Sequence, residues 1–437
     1  MRIVYIAAGA GGSYCGACAR DVALVSGLID RGHEVAMLPL YTPLTVDEDD
    51  PSTDRVFYGG INAYLEQHSA AFRRAPRFLH RLLDGRRLLR LVSKNAVETR
   101  PEHLGAMTVS VLRGPAGRQA VELDDLVAFL RAHHRPDVVN LTNSLLSGLA
   151  PTIRARLGVP VVCTLQGEES FIHRLGDPYR DEAVALLREN ARAIERFIAP
   201  ADGYAGEMAD LLDVDRGRID VIRSGLDVDT YCPGDAPRAE PFRIGYLSRL
   251  SPAKGIDVLV EAYRLLAARR SERIVLAVAG QALGPNRRLW RRLTRALRRD
   301  RLADRVEYLG PVTRDEKIGF LRRCHVFSVP SRYPERRAVA ALEAMACGVP
   351  VVLPRRDGYD ELLDLTGGGI AVAPDDPAAL AVGIERLLDN RDEADRLGRA
   401  GRAAVSEHFA ANQMVDQTFN VYRRVIETAG DRRASDE

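Results

Sequence analysis

Residues 328–354 read SVPSRYPERRAVAALEAMACGVPVVLP, and the fold turns on them. A short apolar run ends at Pro330, and a polar loop carrying Glu335 follows. A helical run starts near Ala338 and stops at Gly348, a residue suited to ending a helix. The next apolar run is PVVLP. Strand, loop, helix, strand is the repeating unit of a parallel sheet. Such sheets bind ligands where the chain leaves the C-terminal strand ends. Glu335 lies just before the helix and Glu343 within its second turn, so both can face one ligand there. Between them the amides opening the helix, at Ala338 and Val339, lack intrahelical acceptors and suit a diphosphate.

The same alternation runs outward in both directions. Strands are expected at 3–7, 34–38, 137–141, 159–165 and 197–199, and again at 242–247, 274–279, 306–309, 326–329 and 351–353. The stretch 227–241, DVDTYCPGDAPRAEP, has no periodicity and reads as a linker. The pattern predicts an α/β protein of two doubly wound, Rossmann-like domains facing a central cleft. The N-terminal domain spans 1–233 and the C-terminal domain 234–410, and a last helix at 411–437 crosses back to the first domain. Residues 43–135 fit least well and read as an insertion with helices, and the tail from Asp431 as frayed.

Composition narrows the function. The chain has 437 residues and a net charge of +2, from 62 Lys+Arg against 60 Asp+Glu, which gives no general attraction to nucleic acid. A hydrophobic fraction of 46% excludes wholesale disorder. Six cysteines are too few for a disulfide scaffold. No run reaches the roughly 18 apolar residues of a membrane span. The start, MRIVYIAAGAGG, reads as a strand entering a glycine loop and not as a signal peptide, so a cytoplasmic protein is expected. Lys94, Lys254 and Lys317 are the only lysines, and every other basic residue is arginine. A lysine inside a motif therefore hints that an ammonium is wanted there.

A second motif is GYLSRLSPAKGIDVL at 245–259, where Arg249 follows a strand and Lys254 stands at a helix entry. A departing diphosphate needs cations, and these two residues can supply a bidentate fork and a movable point charge. The loop AAGAGGSYCGACARD holds Gly11 and Gly12, which let backbone approach a ligand closely. Cys15 and Cys18 form a lone CxxC with no second pair to complete a zinc site; a redox role competes with a plain helix start. CTLQGEES at 163–170 places Gln166 at a sheet edge, with Glu168 and Glu169 as helix-start acids or site residues, and Asn143 and Ser144 are similarly placed. The helix NRRLWRRLTRALRRDR at 286–301 either lies on an anionic membrane or packs its apolar side inward with arginine outside; the second reading is favoured.

In its frame, the 328–354 stretch resembles the retaining glycosyltransferases of family 4, also called glycosyl transferases group 1, which have the GT-B fold. The resemblance implies an enzyme that moves a sugar from a nucleotide-sugar donor, a UDP-, GDP- or ADP-sugar, to an unknown acceptor. It implies Glu335 near the donor sugar and reaction centre, Glu343 on the ribose hydroxyls, and Arg249 and Lys254 on the diphosphate. It further implies Gly11 and Gly12 near the donor phosphates, and Gln166 on the sugar, where many relatives have histidine. No metal or other cofactor is expected, and no nucleic acid; peripheral membrane contact stays open. The chain departs from the family at Arg337 and Ala338, which stand where Phe-Gly is usual. Arg336 and Arg337 are expected to point to solvent. The alternatives are a non-catalytic sugar-nucleotide-binding or membrane-docking protein, and an epimerase or phosphorylase on the same fold.

Overall fold

Short apolar runs bounded by glycine and proline become buried parallel strands in two separate sheets. The computed structural model describes residues 1–9, 16–44, 50–53, 56–57, 104–234, 240–284 and 286–436. The chain divides into two compact units, Met1–Gly225 with Asn412–Glu437, and Leu226–Ala411.

The first unit holds β1 (Arg2–Ala7), β2 (Glu34–Pro39), β3 (Val138–Leu141), β4 (Val161–Thr164), β5 (Arg196–Ala199) and β6 (Ile219–Val221). Their order is β2-β1-β3-β4-β5-β6, with every pair parallel. Helix α1 (Gly16–Asp30) buries Val22, Leu24, Val25 and Leu28. The last helix of the chain, Ala411–Asp436, packs Met414, Val415, Tyr422 and Val425 into that same cluster. His33 stacks on Phe419 of this helix at 4.5 Å, and Arg424 reaches Asp220 at 2.8 Å. Of the stretch read as an insertion, the part containing RVFYGG lies almost wholly outside the described residues. Residues 105–130 form helices whose Val109, Leu112, Leu123 and Leu126 belong to the main core of the unit.

The second unit holds β7 (Phe242–Leu247), β8 (Ile274–Ala279), β9 (Val306–Gly310), β10 (Val326–Phe327), β11 (Val351–Pro354) and β12 (Gly369–Val372). The order is β12-β11-β10-β7-β8-β9, again all parallel. The strand order reverses between β7 and β10. A reversal of this kind marks the crevice at the C-terminal strand ends where doubly wound sheets take ligands. Helices α2 (Ile256–Arg269), α3 (Asn286–Arg299), α4 (Arg314–Arg323) and α5 (Val339–Ala346) cover the sheet. The segment read as a linker is partly packed: Tyr231 is buried and joins the core of this unit. Its ring gains more by burial than a solvated linker would allow.

Candidate active site

The loop after β7 is shaped before any side chain is considered. Ser251 caps a single turn, Pro252–Lys254, by accepting from the Lys254 amide at 3.4 Å. Gly255 then takes φ +68°, and a Cβ there would lie 1.8 Å from the Pro330 carbonyl oxygen. Only glycine lets this loop press on the loop after β10. The Tyr246 hydroxyl lies 3.1 Å from the Arg249 carbonyl and 3.3 Å from that of Lys254, so a buried phenol ties both ends of the turn. Burial pushes that hydroxyl far above the usual tyrosine range, so it stays a neutral donor.

The loop after β10 is braced against the first. The Arg332 amide donates to the Ala253 carbonyl at 2.9 Å, and its guanidinium forks onto Asp257 of α2 at 2.8 and 2.9 Å. Glu335 is placed by its own amide, which donates to the Asp357 carbonyl at 3.2 Å. Gly358 follows at φ +86°, where a Cβ would meet the Glu335 carbonyl at 2.3 Å. With the backbones fixed, the Lys254 ammonium hydrogen-bonds the Glu335 carboxylate as an ion pair. Both side chains remain partly exposed. Arg249 leaves the same loop with an exposed side chain.

Arg336 and Arg337 do not point freely into solvent. The Arg336 side chain is only 9% exposed and faces Asp357 at 3.9 Å, and Arg337 is half-buried. The tight loop folds them back over the protein. Ala338 caps α5 with φ 46° and ψ 35°, a left-handed conformation that costs an alanine roughly 1–2 kcal/mol. Ala338→Gly is expected to stabilise the chain by up to about 1 kcal/mol, because strain relief outweighs the entropy cost of glycine. A urea midpoint that fell in that variant would show that the bend is not strained.

Glu343 is buried. Its Oε1 accepts from Lys317 Nζ on α4 at 2.7 Å, and both side chains are more than nine-tenths buried. Lys317 was not singled out as a site residue on sequence grounds, although the scarcity of lysine was the signal that could have found it. Lys254 and Lys317 are the two lysines among the described residues, and each contacts one glutamate of the motif.

In the first unit Gln166 is turned inward. Its amide nitrogen donates to the Thr142 carbonyl at 2.9 Å and lies 3.2 Å from the Asp21 carboxylate of α1. Asp21 also receives the Tyr5 hydroxyl at 2.5 Å. Glu168 stands at the start of the short helix Glu169–Ile172, as one of the two readings had it. It is buried and accepts from the Ser144 and Gln166 amides at 2.7 and 2.6 Å, which binds the loops after β3 and β4 together. Gly11, Gly12 and Cys15 lie outside the described residues.

Comparison with known proteins places this arrangement. Residues 234–404 match the model for glycosyl transferases group 1, and residues 103–230 match that for glycosyltransferase family 4. The D-inositol 3-phosphate glycosyltransferase 2 of Catenulispora acidiphila is 33% identical over 318 residues, covering 68% of this chain and 73% of that protein. The chain belongs to glycosyltransferase family 4. A glycogen synthase of Mycobacterium tuberculosis is 27% identical over 291 residues, covering 66% of this chain and 69% of its own length. The crystal structure of Anabaena HepE with UDP aligns with a TM-score of 0.68 at 19% identity, over 97% of this chain and 100% of that one. That likeness gives the GT-B fold. The family 4 member described here is a glycosyltransferase that uses a nucleotide-sugar donor.

Proposed function

We propose that the donor diphosphate is held at the strand-order reversal between β7 and β10, and that the sugar is transferred with retention of configuration to a hydroxyl acceptor. The observation that carries this reading is the Lys254–Glu335 contact, formed by two loops that the backbone clamps together beside the first turn of α5. Lys254, Arg249 and the amides at Ala338 and Val339 supply the positive field for the leaving diphosphate, in place of a metal. Glu335 lies against the donor sugar, and Glu343 accepts from the ribose hydroxyls. Glu335 already accepts from an ammonium, so it is badly placed to take a proton from the acceptor. That favours attack from the side of the leaving phosphate, whose oxygen takes the proton. Gln166 is assigned to the sugar on the family resemblance; its amide nitrogen serves Thr142 and Asp21. Gly11 and Gly12 belong to the same reading as the backbone approach to the donor.

The test is a thermal-shift screen of UDP-, GDP- and ADP-sugars. A ligand at one hundred times its Kd adds about 2.7 kcal/mol, which raises the midpoint of a domain this size by roughly 5–10 °C. One donor class is expected to stand out, and nuclear magnetic resonance of the transferred sugar's anomeric proton then reads retention. Inverted product would overturn the stereochemical part, and no shift with any donor would overturn the binding part.

No helix among the described residues is long and apolar enough to cross a membrane. A cytoplasmic setting is part of the proposal, supported by the sparse cysteines. Helix α3 packs its apolar side inward, as the favoured reading of 286–301 had it: Trp290 and Leu297 are buried, and Arg288, Arg292 and Arg295 are exposed. Any membrane contact is assigned to that arginine arc, beside the exposed Tyr308 that touches Trp290 at 5.1 Å. Such contact is electrostatic. Sedimentation with anionic vesicles in low salt, lost in high salt and absent with neutral vesicles, is the expected result. Equal recovery with neutral vesicles would contradict it.

A further inference from the structure

The Lys317–Glu343 pair is costly where it sits. Both side chains are more than nine-tenths buried, and a buried ion pair is seldom better for stability than apolar residues of the same volume. Its chemistry is also against the habit of the chain, which writes positive charge as arginine almost everywhere. The surroundings are built around the ammonium. The Tyr231 ring centroid lies 5.3 Å from Lys317 Nζ, and Tyr231 is buried. Arg314, one turn earlier on α4, lies over the same ring at 5.8 Å from its centroid and pairs with Asp227 at 2.7 Å. The segment 227–231 is thereby held against α4, and α4 presents its lysine to α5.

A compact ammonium can bond one carboxylate oxygen and leave the other for a further donor, whereas a guanidinium would fork across both. Lys317 Nζ donates to Glu343 Oε1, and the Tyr231 hydroxyl sits within hydrogen-bonding reach of both side chains of the pair. We propose that Lys317 is a positioning residue: it keeps the Glu343 carboxylate ionised and turned so that Glu343 accepts from the ribose hydroxyls of the donor. This rests on the reading of Glu343 given above. Lys317 itself touches no substrate. Loss of a purely structural pair would weaken all ligands alike.

The experiment is calorimetric titration of the full chain with UDP, GDP and ADP, each beside its 2′,3′-dideoxy counterpart. The wild type is expected to bind the ribose form of its preferred nucleotide roughly tenfold more tightly or better, as for a hydrogen bond to a charged group. In Lys317→Met the ribose form falls to the dideoxy level, while dideoxy affinity changes less than twofold. Lys317→Gln keeps a donor beside Glu343 without the charge, and carries the test should the methionine variant not fold; it is expected to lose most of the preference. Folded Lys317 variants that keep the full ribose preference overturn the inference while leaving the ribose role of Glu343 standing. A wild type that ignores the ribose hydroxyls overturns that role and the inference with it.

Discussion

Lys254→Ala is expected to lower kcat/KM by roughly a hundred- to a thousandfold while the fold survives. The estimate follows from deleting one charged donor to a developing anion, which costs about 2.7–4 kcal/mol when the donor acts only at the transition state. Lys254 is partly exposed, so its removal leaves no cavity, and Gly255 and the Ser251 cap still fix the loop. The variant also frees Glu335 from its ion pair. A negative carboxylate without its cation would then repel the diphosphate, which adds to the loss. Lys254→Arg restores the charge but not the shape, because a guanidinium is longer and planar, and only partial recovery is expected. Steady-state rates at saturating and limiting donor separate the two effects. Turnover within a few-fold of wild type in the alanine variant would remove Lys254 from the reaction.

The second large effect concerns stability. Glu343→Leu leaves Lys317 buried without its carboxylate, which is expected to cost about 3–5 kcal/mol. Lys317→Met combined with Glu343→Leu replaces the pair by apolar groups of similar volume, and most of that stability should return. Donor binding should not return with it. Urea unfolding of the single and double variants measures the coupling. If the double variant were no more stable than the single one, the energy would reside in packing around α5 and not in the ion pair.

Much of this architecture is legible in the sequence because buried parallel strands are continuous apolar runs. The segments IVYIA, FRIGYL, IVLAVA and VVLP each became a strand with ends close to those expected. Two strands left no such trace. Ile219–Val221 has three residues with aspartate in the middle, and Gly369–Val372 is an edge strand, half-buried throughout. Neither periodicity nor a long apolar run marks such segments.

The site was legible in part for the same reason. Glu335, Glu343, Arg249 and Lys254 lie within motifs, and local spacing places them on particular loops and helices. What they touch depends on partners far along the chain. Lys317 is 26 residues from Glu343 on a helix crowded with other charges, RDEKIGFLRR. Gln166 meets Asp21 across 145 residues, so nothing local shows that its amide is turned inward. The left-handed bend at Ala338 is likewise hidden, because alanine seldom adopts that conformation and is the residue most associated with helix interiors.

Calorimetry of one nucleoside at two phosphorylation states tests the central claim most directly. The two braced loops and the opening of α5 should bind a nucleoside diphosphate at least tenfold more tightly than the monophosphate. In a variant carrying both Arg249→Ala and Lys254→Ala that preference should vanish, while monophosphate affinity holds. Equal affinity for the two nucleotides in the wild type, or an undiminished preference in the double variant, would contradict the account.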